Sequence, residues 1–249
     1  MGIISFSSSK KNRFIHYRTQ AQIDVAAKLV TLLIFSELYA IQGLQGTAKT
    51  LKDVAALQDN ETGEHLERMS RYSRHIARYL AISHYLDDEF IEDLFLCAPL
   101  HDIGKIAIPD KILLKPGRLT NAEFSEMKKH TTYGKNIIEK ALANLQIEGK
   151  SFSQILYNIV FYHHENWDGS GYPGQLAGKN IPLEARIIRV ADVYDALTSE
   201  RPYKKAWSRS EALEYLQAES GALFDPQCVE AAVACADLFK TIKTEFSDK

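Results

Sequence analysis

Cysteine is scarce in these 249 residues: there are three, Cys97, Cys228 and Cys235, with no C-x-x-C pair among them. An odd number without paired spacing argues against a disulfide framework and against a thiolate zinc site. All three fall in apolar helical patterns, so buried free thiols in a reducing compartment are expected. Excess charge is lacking too. A net charge of −2 offers no bulk attraction for nucleic acid, so DNA is not an expected partner, and any anionic ligand must be held by a local basic cluster or by metal. No long clean apolar run occurs. The stretch 26–41 is interrupted by Lys28 and Glu37 and falls short of the roughly 20 residues a membrane span needs. Residues 1–17 carry Lys10, Lys11 and Arg13 without the apolar core of a secretory signal, and they read as a loose leader of a cytoplasmic protein. Hairpin signals, sustained strand alternation, internal repeats and low-complexity tracts are missing as well.

What remains is helix. Hydrophobic and charged contents of 45% and 25% are those of an ordinary globular protein, long enough for one large domain plus an extension. Apolar periodicity predicts helices over 48–58, 62–83, 87–103, 121–147, 151–164, 183–199, 208–219 and 225–245. Thr120 with Glu123 and Ser208 with Glu211 form capping-box patterns, and Pro182 and Pro226 suit first turns. The fold class is all-α. Residues 1–46 are read as a leader and an added N-terminal helix (18–44), and residues 47–249 as the main domain. The helix at 18–44 is apolar on more than one side and must be covered, either by its own domain or by a second copy in a homodimer. A regulatory role for this segment is the other expectation attached to it.

Several apolar faces end in ionisable groups. His65 shares a face with Met69, Tyr72, Ile76 and Tyr79, and Glu61 lies one turn before it. Ile91, Leu94, Phe95 and Ala98 lead to His101 and Asp102; Phe124 and Met127 lead to His130. Ile155, Leu156, Ile159 and Val160 lead to His163 and His164, and Ala185, Ile188 and Ala196 accompany Asp192. One such group is commonly a satisfied core histidine. Five coincident helices are harder to explain that way, because each buried polar group needs a partner, and divalent metal would serve all of them together. Histidine with carboxylate, and no cysteine, favours iron, manganese or another borderline metal over structural zinc.

The string His163 to Pro173, H-H-E-N-W-D-G-S-G-Y-P, with His101-Asp102-Ile103-Gly104-Lys105, resembles the HD-GYP family, a branch of the HD phosphohydrolases. The segments 61–65, 191–198, 201–204 and 224–226 share in the resemblance, which covers about residues 50–245. It implies an HD-type helical bundle that hydrolyses cyclic di-GMP to pGpG, in some members onward to GMP, with cyclic GMP-AMP a substrate of others. Iron and manganese are the metals it implies. By the same resemblance His65, His101, Asp102 and Asp192 match the quartet of HD phosphohydrolases. His130, His163 and His164 match the histidines that hold a second metal, and Glu61 matches a carboxylate of members with three. Asp102, with two oxygens, is the expected bridging ligand beside a metal-bridging hydroxide. Lys105, one turn on, is placed to meet a phosphate oxygen or the water. Arg201 and Lys204 match contacts to phosphate or guanine, where arginine can make two parallel hydrogen bonds. Tyr172 either stacks on a base or shapes the pocket rim, and Trp167 anchors the loop. Asp195, one turn past Asp192, is expected to orient Arg201 or a ligand histidine. Two other readings stand beside the phosphodiesterase: a non-catalytic cyclic di-GMP receptor, and an HD nucleotidase acting on mononucleotides. Pro99, inside the expected helix 87–103, departs from the pattern by removing a backbone donor.

Overall fold

The computed structural model of the chain describes residues 23, 25–31, 46, 63–145, 151–200 and 205–247. It comprises two compact units, Met1–Thr47 and Ala48–Lys249. In the first, residues 25–31 are helical, and the Thr31 hydroxyl donates to the Ala27 carbonyl at 2.8 Å. The remainder of the helix expected over 18–44, and all of that expected over 48–58, lies outside the described residues.

The second unit is all-α. Among the described residues its helices are α1 (Gly63–His84), α2 (Asp88–Cys97), α3 (Asp110–Leu113), α4 (Asn121–Met127) and α5 (His130–Leu145). Then come α6 (Ser151–Tyr162), α7 (Leu183–Thr198), α8 (Arg209–Ala218), α9 (Pro226–Ala234) and α10 (Ala236–Glu245). Two of these, α1 and α7, form the centre. On α1 the side chains of Met69, Tyr72 and Ile76 recur every three or four residues and are fully buried, as are Ile187, Ile188 and Ala191 on α7. Each such aliphatic burial is worth about 1.5–3 kcal/mol. Tyr72 meets Tyr194 edge-on at 5.2 Å, and Phe239 of α10 closes against both rings. Tyr79, at the end of the α1 stripe, is half exposed. Both expected capping boxes form, Thr120 with Glu123 and Ser208 with Glu211.

Three expected helices are interrupted, and two of the interruptions carry site residues. The helix expected over 87–103 stops at Cys97. A 3-10 turn follows at Ala98–Leu100, then a bend at His101–Asp102, then a second 3-10 segment, Ile103–Ala107. Pro99 lies in the first turn of that 3-10 element and has no N–H to continue the α-helical ladder. The helix expected over 121–147 divides after Met127. There the ring Nδ1 of His130 takes the Met127 carbonyl at 2.8 Å, while the Thr131 N–H turns to Lys128. An imidazole thus replaces the backbone donor that would have continued the helix. The helix expected over 225–245 divides at Cys235, whose φ/ψ of −89°/7° leaves the helical region. Finally, α6 ends at Tyr162, so His163 and His164 stand just beyond it and not within it. Cys97, Cys228 and Cys235 are buried free thiols, each held above its usual pKa by burial.

Candidate metal centre

Three backbone excursions bring the polar residues together. Asp102 occupies the bend between the two 3-10 segments with φ −102° and ψ 14°, a sparsely populated region where active-site residues are often found. Next to it, Gly104 runs so close to the start of α5 that a Cβ there would sit 1.8 Å from the His130 carbonyl oxygen and 2.4 Å from the Gly134 nitrogen. Only glycine permits this approach, and it sets Asp102 beside His130.

The stretch after α6 folds back on itself. The Glu165 carboxylate accepts backbone N–H groups from Gly174 at 2.5 Å and Leu176 at 3.0 Å. The Tyr172 N–H donates to the His164 carbonyl, and a Cβ on Gly171 would lie 2.2 Å from the Asn166 nitrogen. Trp167 and Asp168 tie the loop to the chain before α9 through the Leu223 and Ala222 carbonyls. Held this way, the Tyr172 ring lies against His164 with centroids 4.8 Å apart and planes at 31°.

The result is two groups of donors, each with ligand atoms within 4.8 Å of one another: Asp102, His130, His163 and His164; and His65, His101 and Asp192. Asp102 faces both. Its Oδ1 lies 3.0 Å from His130 Nε2 and 3.4 Å from His163 Nε2, and its Oδ2 lies 3.2 Å from His101 Nε2. Lys105 reaches the same Oδ2 at 2.9 Å. His65 Nε2 stands 3.9 Å from Asp192 Oδ1.

Four of the imidazoles are oriented from behind. His101 Nδ1 pairs with the Ala98 carbonyl at 3.1 Å, His130 Nδ1 with Met127 at 2.8 Å and His163 Nδ1 with Ile159 at 2.9 Å. His65 Nδ1 pairs with Asp195 Oδ2 at 2.8 Å. Carbonyl and carboxylate oxygens cannot donate, so each Nδ1 carries the proton, and in the neutral ring Nε2 presents a lone pair to the cavity. Burial first, then neighbouring His101 and His130, hold His163 down to about 4 in pKa, against the pull of Asp102. Burial and His163 place His164 well below its usual value. For Asp102 burial works upward, but Lys105, His101 and His130 outweigh it and keep the carboxyl well below the usual range. His163 and His164 are thus neutral beside the Asp102 carboxylate, and His130 Nε2 and His163 Nε2 face each other at 3.5 Å. With both Nε2 atoms unprotonated, as metal ligands must be, that approach is repulsive without a cation between them. Two imidazole nitrogens sharing one ion at about 2.1 Å lie about this far apart, so the donor set fits a divalent metal.

The structure thus gathers His65, His101, Asp102, His130, His163, His164 and Asp192, with Lys105 and Tyr172 beside them. Glu61, Arg201 and Lys204 lie outside the described residues. Asp195 turns to His65 and to Arg68, the first of its two expected uses being left outside the described residues with Arg201. Burial pushes the Asp195 carboxyl up, but hydrogen bonds from His65 and Arg68 prevail and bring it to about 2. Sequence reasoning missed Arg68 and Lys128. Arg68 lies three residues after His65 and pairs with Asp195, and a buried arginine one turn from a metal-type histidine was a signal available for it. The Lys128 ammonium lies 5.2 Å from the Tyr172 ring centroid, a contact with no local signature.

A family model described as HD domain matches residues 49–228. A cyclic di-GMP phosphodiesterase of Vibrio cholerae is 42% identical over 231 residues, covering 88% of this chain and 46% of its own length. The cyclic di-GMP phosphodiesterase response regulator RpfG of Xanthomonas campestris is 44% identical over 201 residues, covering 81% of this chain and 50% of its own. A 3′3′-cGAMP-specific phosphodiesterase 2 of Vibrio cholerae is 36% identical over 220 residues, covering 87% and 40%. The chain therefore spans about half the length of these relatives. Among solved structures, Bd1817, an HDG"Y"P protein from Bdellovibrio bacteriovorus, aligns with a TM-score of 0.52 at 21% identity over 71% of this chain and 51% of its own. It bears on the fold alone.

Proposed function

The chain belongs to the HD domain family, and from that premise we propose that it is a metal-dependent phosphodiesterase hydrolysing cyclic di-GMP to pGpG. The observation that carries this is the convergence of inward-facing imidazole Nε2 atoms, anchored through Nδ1 on main-chain carbonyls, on the Asp102 carboxylate. Relatives named for cyclic di-GMP and for 3′3′-cGAMP support both cyclic dinucleotides as substrates. Iron or manganese suits a donor set of imidazole and carboxylate without thiolate. Two ions correspond to the two donor groups, and Glu61 is the residue that would add a third. Divalent ions held there supply charge neutralisation for a phosphodiester and lower the pKa of an attacking water.

The chain's own residues do the rest. Asp102 presents one oxygen to each donor group and so keeps them in register. Burial holds His163 and His164 neutral and available as ligands. Lys105, fixed on Asp102, offers a positive charge where negative charge develops on the phosphate oxygens. Tyr172 packs on His164 and shapes the rim. Arg201 and Lys204 are assigned to the phosphate or guanine of the substrate. Residues 47–249 form the catalytic domain in this reading. Within the N-terminal segment 1–46, residues 18–46 are assigned to a homodimer contact, and DNA has no part. Among the described residues no helix is long and apolar enough to cross a membrane, which accords with action in the cytoplasm.

Protein loaded with Mn²⁺ or Fe²⁺ should convert cyclic di-GMP to pGpG, and Asp102→Ala should abolish turnover. Full activity in Asp102→Ala sinks the proposal. Tight binding without turnover by the metal-loaded wild type would make the protein a receptor, and cleavage of mononucleotides alone would make it a nucleotidase.

A further inference from the structure

One imidazole of the His65–His101–Asp192 group is anchored differently from the rest. His101, His130 and His163 lean on main-chain carbonyls, which no side-chain substitution at the anchoring position removes. His65 leans on a side chain, Asp195, and Asp195 is in turn gripped by Arg68. Arg68 is fully buried. Its Nε donates to Asp195 Oδ1 at 2.6 Å and its Nη2 to Asp195 Oδ2 at 2.9 Å, a two-pronged pairing of planar groups. The remaining donors reach the Ser199 hydroxyl at 2.9 Å and the Phe246 carbonyl at 2.7 Å. The guanidinium is thus fixed by α7, by the residue after it and by the end of α10.

From this asymmetry we infer that Arg68 is a positioning residue that sets, through Asp195, the grip of one donor group, His65–His101–Asp192, on its metal ion and leaves the other group unaffected. The inference rests on the metal-centre reading above. A carboxylate behind an imidazole fixes its tautomer and raises its basicity, and loss of such partners lowers metal affinity about 10–100-fold. Arg68 itself ligates no metal. Without its two prongs Asp195 keeps, besides His65, the longer bond from the Ser199 hydroxyl at 3.2 Å, so its carboxylate is held less firmly behind His65 and the effect belongs to one site and not to the fold at large.

The test is Mn²⁺ binding by equilibrium dialysis on wild type, Arg68→Met and Arg68→Lys, with thermal unfolding of the metal-free proteins alongside. Wild type should bind at least two Mn²⁺ ions per chain. In both variants one ion should bind about 10–100-fold more weakly while the rest keep wild-type affinity. Arg68→Lys keeps the charge but cannot form the fork, and it carries the measurement should Arg68→Met fail to fold. Arg186→Lys is the control, since it disrupts a second buried arginine pairing, with Asp225, that touches no donor. It should lower thermal stability with Mn²⁺ binding unchanged. Equal weakening of all ions in the Arg68 variants, no weakening at all, or the same selective loss in Arg186→Lys would each overturn the inference. A wild type that binds no Mn²⁺ would instead overturn the metal reading beneath it.

Discussion

An ammonium group 2.9 Å from the carboxylate shared by two donor groups has two consequences at once. Lys105 keeps Asp102 ionised, and it leaves positive charge at the place where a phosphodiester would lie. Lys105→Met should therefore lower kcat by about 10²–10³-fold, the scale found when one preorganised donor to developing negative charge is removed. Metal content, measured by elemental analysis, should stay at the wild-type level. Asp195 makes a prediction of the opposite kind, about stability. Its folded pKa of about 2 lies below the unfolded value of about 3.9. The stabilisation is therefore fully present above the unfolded pKa and is lost as pH falls through the folded one. Urea unfolding of the metal-free protein should lose about 2 kcal/mol from this group between about pH 5 and pH 2. Asp195→Asn should flatten that part of the curve, and an unchanged slope would count against the pairing.

Among the elements, the loop after α6 and the segment around Gly104 hold the donors by backbone proximity. Gly171→Ala would force a Cβ to 2.2 Å from the Asn166 nitrogen, and Gly104→Ala would force one to 1.8 Å from the His130 carbonyl. Both contacts are with backbone, so relief requires moving the donors. Each variant should lose Mn²⁺ affinity along with several kcal/mol of stability, about the scale of severe overpacking. Thr120→Ala removes a capping box at an exposed helix start. It should cost about 1 kcal/mol and leave Mn²⁺ binding intact, which separates stability from site geometry. The elements also mark what could be read from sequence. Helical periodicity at Met69, Tyr72 and Ile76 was legible because it is local, and so were the caps. Of the breaks, the one ahead of His101–Asp102 was signalled by Pro99, while the one after Met127 was not, because it arises where the His130 ring takes a carbonyl from the helix ladder three residues before it. The approach of two backbones at Gly104 is a tertiary event with no local signature. His163 and His164 were correctly foreseen as ends of an apolar face, yet their place beyond α6 depends on a loop that Glu165 folds from 9 to 11 residues away.

For the molecule as a whole, bringing neutral lone pairs and carboxylates together without a cation costs stability that metal returns. An ion at about 1,000 times its Kd adds about 4 kcal/mol. In a chain of this length that corresponds to roughly 10 °C of Tm at about 2–4 °C per kcal/mol. Chelation should lower Tm by that order, and readdition of Mn²⁺ should restore it. The place of Arg68 one turn from His65 was legible in the sequence, but its partners were not, since they are Asp195, 127 residues away, and Phe246, 178 residues away.

That last connection reaches further than the centre. The Phe246 carbonyl belongs to the closing turn of α10, where its own N–H still holds the Ile242 carbonyl at 2.9 Å. Seating an ion at one end of the relay and fraying the tail at the other are coupled equilibria, and thermodynamic linkage makes the coupling run both ways. Amide hydrogen exchange in the closing turn of α10 should slow when Mn²⁺ is added, so the amides of that turn serve as a gauge of occupancy deep in the bundle.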